Sequence, residues 1–169
     1  MDLNKLYEKQ AVLDKHILDK HNIKMSKEEL LDNTILALLV EIGELANTTR
    51  CFKHWSTKGM MDKEIVLDEL ADVWHFYLSI GNQVGFKKED MFVYHSTKAL
   101  RDDKMATLAI EFTRLLTTGG MIGMDLEWYS TYGFRLECLA ELLGFTNEEV
   151  EQAYLKKHEE NYKRQREGY

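Results

Sequence analysis

The stretch LLVEIGELANTTRCFKHW, residues 38–55, decides the fold. It is largely apolar and rich in helix formers, yet it carries Glu41 and Glu44 three positions apart. On an α-helix, residues i and i+3 project from one face, so the two carboxylates form a single acidic patch. Leu38, Ile42 and Leu45 flank that patch on a stripe that has to be buried. One helix later EIVLDELADVWHFYLSIG (64–81) repeats the arrangement with Glu69 and Asp72 beside Ile65, Leu70, Val73 and Phe76. If both stripes face one core, the two patches meet at its edge.

The rest of the chain agrees with an all-α reading. There is no proline in 169 residues, and glycines gather at 81–85, 119–123 and 133, so little interrupts a helix while turns have definite places to form. Leu3, Leu6, Gln10, Leu13 and Ile17 recur at helical spacing, giving a first helix whose stripe has one polar member, Gln10. Ser26 with Glu29 forms a capping box that starts a second helix near residue 27 and runs it to about Cys51. Asp62 is the expected N-cap of a third helix through about Ile80, closed by Gly81 or Gly85. A long fourth helix is expected from near Lys87, with Phe92, Leu100, Leu108, Phe112 and Leu115 among its apolar members, until TTGGMIG stops it. A fifth covers roughly 124–143. Gly144 suits its C′ position, and Thr146 with Glu149 caps a sixth that runs into KKHEENYKRQREGY. These elements make one all-α, multi-helix domain over 1–169.

Composition narrows the function. A formal charge of −7 argues against a nucleic-acid backbone as partner, because such binding rests on Lys and Arg neutralising phosphate. Cys51 and Cys138 lie in no metal-ligand or redox spacing and are too few for a disulfide framework, which reads as a reducing compartment. MDLNKLYEKQ has no basic and apolar leader pattern, and no run of about 18 apolar residues exists to span a membrane. A cytoplasmic protein is the expectation.

An acidic i,i+3 pair is ordinary on a solvated helix face. Two pairs on consecutive helices, each set among apolar residues, are not. Four carboxylates gathered at partial burial repel one another, and each uncompensated charge costs several kcal/mol of lost hydration. A divalent cation removes the conflict, and an all-oxygen donor set suits Mg²⁺ or Mn²⁺, which bind through carboxylates, waters and phosphates. Phosphoryl chemistry follows. His75, three residues after Asp72, suggests instead the carboxylate-x-x-His step of di-iron bundles, but a di-iron site expects two such steps and the chain has one.

The order ExxE, a spacer of about two dozen residues, then ExxD resembles the all-α NTP pyrophosphatase superfamily of MazG-like proteins and dimeric dUTPases. The words EIGELANTTRCFKHWS, DELADVWHFYLSIGNQ and KKHEENYKRQREGY are similar to the dimeric dUTPases, most closely their phage-type members. The resemblance covers the first three helices and the C-terminus and fades over about 100–145, a variable helical region of the family. It implies a Mg²⁺-dependent homodimer hydrolysing dUTP, and dUDP also, to dUMP, with pyrophosphate leaving from dUTP. Carried over by match, Glu41, Glu44, Glu69 and Asp72 hold the metal, and Glu44 orients or deprotonates the attacking water. Gln10 matches the glutamine that reads the uracil edge, where an amide can both donate and accept. Trp55 matches the aromatic near the base. Lys157, Asn161 and Arg164, at i, i+4 and i+7 on the last helix, match the phosphate-clasping ending. His54 stands where many relatives carry tyrosine.

Two alternatives stand beside this expectation. One is a relative acting on dCTP or another nucleotide; the other is a non-catalytic helical module that binds a protein. Phage-type relatives contact repressor proteins near the nucleotide site, so a repressor-type partner is compatible with the enzyme, within a host cytoplasm if the gene is a phage's.

Overall fold

A computed structural model describes residues 1–86 and 107–168. Six α-helices occupy those residues: α1 Leu3–Lys20, α2 Lys27–Thr49, α3 Lys63–Val84, α4 Leu108–Thr118, α5 Leu126–Leu142 and α6 Asn147–Glu167, with a 3₁₀ turn at Gly119–Met121. No helix among the described residues is long and apolar enough to cross a membrane.

The caps form where the sequence places them. Ser26 and Glu29 exchange reciprocal bonds at the start of α2, and Thr146 and Glu149 do so at α6, each pairing donors that a helix N-terminus otherwise leaves unmet. Gly144, at φ +81°, takes the left-handed conformation that ends α5. Asp62 precedes α3 without a side-chain cap bond. That helix ends at Gly85, φ +75°, and not at Gly81, which lies inside it for another reason: a Cβ there would collide with the Tyr129 hydroxyl and the Tyr7 ring. The expected long fourth helix does not continue unbroken into α4. Thr107 is extended and its hydroxyl accepts from the Ile110 amide, so a helix begins afresh at Leu108. The expected start near Lys87, with Phe92 and Leu100, lies outside the described residues.

The centre of the bundle is α3, which packs on α1, α2, α5 and α6. Its Val66, Leu70, Val73, Leu78 and Ile80 are completely buried, as are Leu38, Ile42 and Leu45 of α2. Each such side chain removed from water contributes about 1.5–3 kcal/mol. Ile65, expected in the α3 stripe, is exposed and Phe76 only partly buried. Met61 bonds back to Thr48, and Gln83 to Thr34, so α2 and α3 run antiparallel. Along α6 the order is the reverse: Glu149 pairs with Lys63, and Lys157 with Asp68 and Asp72, so α6 runs beside α3 in the same direction.

Candidate active site

The antiparallel pairing of α2 and α3 brings the acids together as the sequence suggests, with one difference. Oxygens of Glu41, Glu69 and Asp72 all lie within 4.8 Å of one another. Glu44 is exposed one turn beyond, outside that trio, though its charge is felt by both Glu41 and Glu69. Burial, then the charges of Asp72, Glu44 and Glu69, pushes the Glu41 carboxyl up to about 7. Glu69 and Asp72 are raised as well, in each case chiefly by burial. Three partly buried carboxylates whose charged forms are all disfavoured make an oxygen donor set with a deficit of positive charge, which suits a hard divalent cation.

Part of that deficit is met from α6. The Lys157 ammonium sits 2.6 Å from Asp68 and 2.8 Å from Asp72, its side chain almost completely buried. Lys157 is therefore committed to carboxylates in this arrangement, where the sequence suggested a free phosphate-clasping face. Asp68 was not among the expected residues. Its i,i+4 relation to Asp72 on α3 is the signal that could have pointed to it.

A cleft of about 640 Å³ opens beside the acids. It runs from Glu41 and Asp72 past His75 and Ser79 to Gln10 and Asp14 of α1, and Asn161 and Arg164 of α6 also line it. This volume lies within the range of small-ligand pockets. The carboxylates thus stand at one part of a cleft and the Gln10 amide at another.

Gln10 is 4% exposed and fully engaged on one side. Its Oε1 accepts from the Tyr154 hydroxyl at 2.8 Å and faces His75 Nδ1 at 2.7 Å, while its Nε2 donates to Asp14 at 2.7 Å. His75 faces Gln10 and not the acids, so it is no member of the carboxylate group. Asp14 and Tyr154 extend the site beyond the residues singled out in the sequence, and His75, noted there for its spacing from Asp72, joins Gln10; Asp14, at i+4 from Gln10, had a local signal and Tyr154 had none.

Trp55 and Arg164 differ in their placement. Trp55 lies on the loop between α2 and α3, 69% exposed, in edge contact with His54 and Phe52 and outside the cleft lining. Arg164 does line the cleft, with its guanidinium donating to Glu160 at 2.6 Å. The structure therefore gathers Glu41, Glu69 and Asp72 with Lys157, and Gln10 with Asn161 and Arg164 around the adjoining cleft, but leaves Glu44 and Trp55 at the surface.

No curated protein matches the sequence. Residues 2–169 match the dUTPase family. With nearly the whole chain matched and an all-helical fold that sets an acidic group beside a nucleotide-sized cleft, the chain belongs to the all-α dimeric dUTPase family, whose reaction is hydrolysis of dUTP to dUMP and pyrophosphate.

Proposed function

We propose that the protein is a Mg²⁺-dependent homodimeric dUTPase, also acting on dUDP, that holds its metal on Glu41, Glu69 and Asp72 and reads the base at Gln10. The observation that carries this reading is the carboxylate group: three raised acids in mutual contact distance at the edge of a cleft whose other part is lined by a buried amide. Mn²⁺ fits the same oxygen donors. Bound there, the cation supplies charge neutralisation and Lewis-acid polarisation of the phosphates, and a more acidic water.

The protein's own groups do the rest. Glu44, exposed one turn from Glu41, accepts the proton of the water that attacks the phosphate chain. The new P–O bond forms from that water as the linkage between the α and β phosphates breaks, and pyrophosphate leaves. Asn161 and Arg164 line the cleft on α6 and bind the polyphosphate; Lys157 holds Asp68 and Asp72 in place beside it. The α1 wall and α3 seat the base and keep water from it.

Exposed apolar residues support the homodimer. Leu36 and Val40 stand one turn apart on α2, and Leu116 and Met124 are also exposed, apolar surface of the kind that a second copy would cover. Trp55, exposed on its loop, is proposed to meet the base only in the assembled, substrate-bound enzyme.

The test is pyrophosphate release from each dNTP with Mg²⁺ and with chelator. Turnover of dUTP that depends on the metal supports the assignment; preference for dCTP moves it to a related pyrophosphatase, and no turnover on any dNTP removes the proposed chemistry.

A further inference from the structure

We infer that His75 and Tyr154 are positioning residues that lock the Gln10 side chain one way round, so that the cleft accepts a base carrying a carbonyl and rejects one carrying an amino group at the same place. This rests on Gln10 as the base-reading residue. An amide is a reversible element: turned over, it exchanges its donor for its acceptor, and with it a preference for uracil for one for cytosine.

Three contacts fix the orientation. The Oε1 has two lone pairs, and both are taken, by the Tyr154 hydroxyl at 2.8 Å and by His75 Nδ1 at 2.7 Å. From the other side Nε2 donates to Asp14 at 2.7 Å. The carbonyl is thus unavailable to a ligand, and the amide keeps one N–H with no protein partner among the described residues. That N–H can be answered by the 4-carbonyl of uracil. The 4-amino group of cytosine would oppose it donor to donor.

His75 makes the lock directional. Because Oε1 only accepts, the ring proton must sit on Nδ1. Burial pushes the imidazole down to about 3, so the ring is neutral and Nε2 is a bare acceptor. The buried Nε2 makes no hydrogen bond of its own, so the short contact of Nδ1 with Oε1 is what sets the tautomer. The ring cannot easily turn to offer its other nitrogen, because it is stacked on Tyr154, centroids 4.1 Å apart, and lies parallel to His158 at 6.2 Å.

The experiment compares kcat/KM for dUTP and dCTP in wild type, Gln10→Ala, Tyr154→Phe, His75→Leu and His75→Asn. Tyr154→Phe and His75→Leu each remove one donor to Oε1 and are expected to lower the dUTP:dCTP ratio about tenfold or more, chiefly through KM. His75→Asn places an amide N–H where Nδ1 stood and should retain most of the ratio, which a role in packing alone does not predict. If Gln10→Ala lowers the ratio while Tyr154→Phe and His75→Leu leave it within twofold of wild type, the lock is wrong and the base-reading assignment survives. If Gln10→Ala leaves the ratio unchanged, the assignment fails and the lock with it. Should a core variant fail to fold, ¹⁵N NMR of the wild-type imidazole decides independently: the Nδ1–H tautomer at neutral pH is expected, and an Nε2–H tautomer overturns the inference.

Discussion

Replacing Glu41 by Gln should make the metal-free protein more stable at alkaline pH while abolishing its response to metal. Glu41 titrates at about 7 in the folded chain against an ordinary 4.5, because it is half-buried among Asp72, Glu44 and Glu69. A carboxyl raised on folding opposes the native state above its folded value, and the opposition fades as pH falls towards the unfolded value. The full displacement corresponds to about 3 kcal/mol at about 1.4 kcal/mol per tenfold change. Screening by solvent at a half-exposed group reduces this to ~1–2 kcal/mol. Gln is nearly isosteric and uncharged, so the penalty disappears with the substitution.

For a chain of this size about 1 kcal/mol corresponds to roughly 2–4 °C in Tm. With chelator at pH 8, Glu41→Gln is expected to melt about 2–8 °C higher than wild type, and at pH 5, where the native Glu41 carries a proton, the gap should shrink several-fold. With Mg²⁺ at pH 8 the order should reverse, since the variant lacks one of the proposed ligands. Calorimetric melts at both pH values, with and without metal, read all of this. A variant that melts lower than wild type in chelator at pH 8 would refute the picture of a charge-frustrated acid group.

Mg²⁺ should stabilise the wild type by about 2.7 kcal/mol at a hundred times its Kd, and its apparent affinity should weaken as pH drops below 7 because protons compete for Glu41; titration calorimetry at pH 8 and pH 6 checks both. Glu44→Gln should melt no lower than wild type, since it removes a charge that repels Glu41 and Glu69, and should lower turnover at least ~10²-fold, whereas near-normal turnover would make Glu44 a solvated bystander. Lys157→Met strips the cation from Asp68 and Asp72 and should cost about 1–3 kcal/mol in chelator, less than for a fully buried pair because Asp68 is well exposed, a loss that Mg²⁺ relieves in part; a loss indifferent to metal would show that Lys157 only packs. Gly81→Ala drives a methyl into the Tyr129 hydroxyl, which bonds to the Tyr77 carbonyl at 2.8 Å and pairs with Tyr7 at 2.6 Å, and should cost about 1–3 kcal/mol or more by denaturant titration, with wild-type stability counting against the packing described here.

What could be read in the sequence was local. Capping boxes, the left-handed Gly144 and the 3.6-residue stripes depend on residues within a turn or two, so the helices they mark appear where expected. Glu41 with Glu44 and Glu69 with Asp72 were visible as patches for the same reason. Their meeting depends on the antiparallel packing of α2 on α3, which the shared apolar stripes foreshadowed. The Gln10 network was not legible: Tyr154 is 144 positions away, and no periodicity announces that its hydroxyl ends on that amide. Nor could spacing tell whether Gly81 ends a helix or makes room for Tyr129.

Lys157 shows how packing decides what a charged residue on a helix face meets. The i, i+4, i+7 spacing of Lys157, Asn161 and Arg164 does put them along one side of α6, and Asn161 and Arg164 line the cleft. Yet α6 runs beside α3, so Lys157 meets Asp68 and Asp72 before it can meet a phosphate. Its ammonium directly bonds two carboxylates at that edge of the acidic group. Glu41 feels it only as a weaker opposing charge, behind burial and three carboxylates, and still titrates near 7. The unmet negative charge is therefore displaced towards Glu41 and Glu69. A triphosphate brought to the same edge would add to the repulsion there, so the proposed catalysis calls for a cation at Glu41 and Glu69 that Lys157, tethered to Asp68 and Asp72, does not supply.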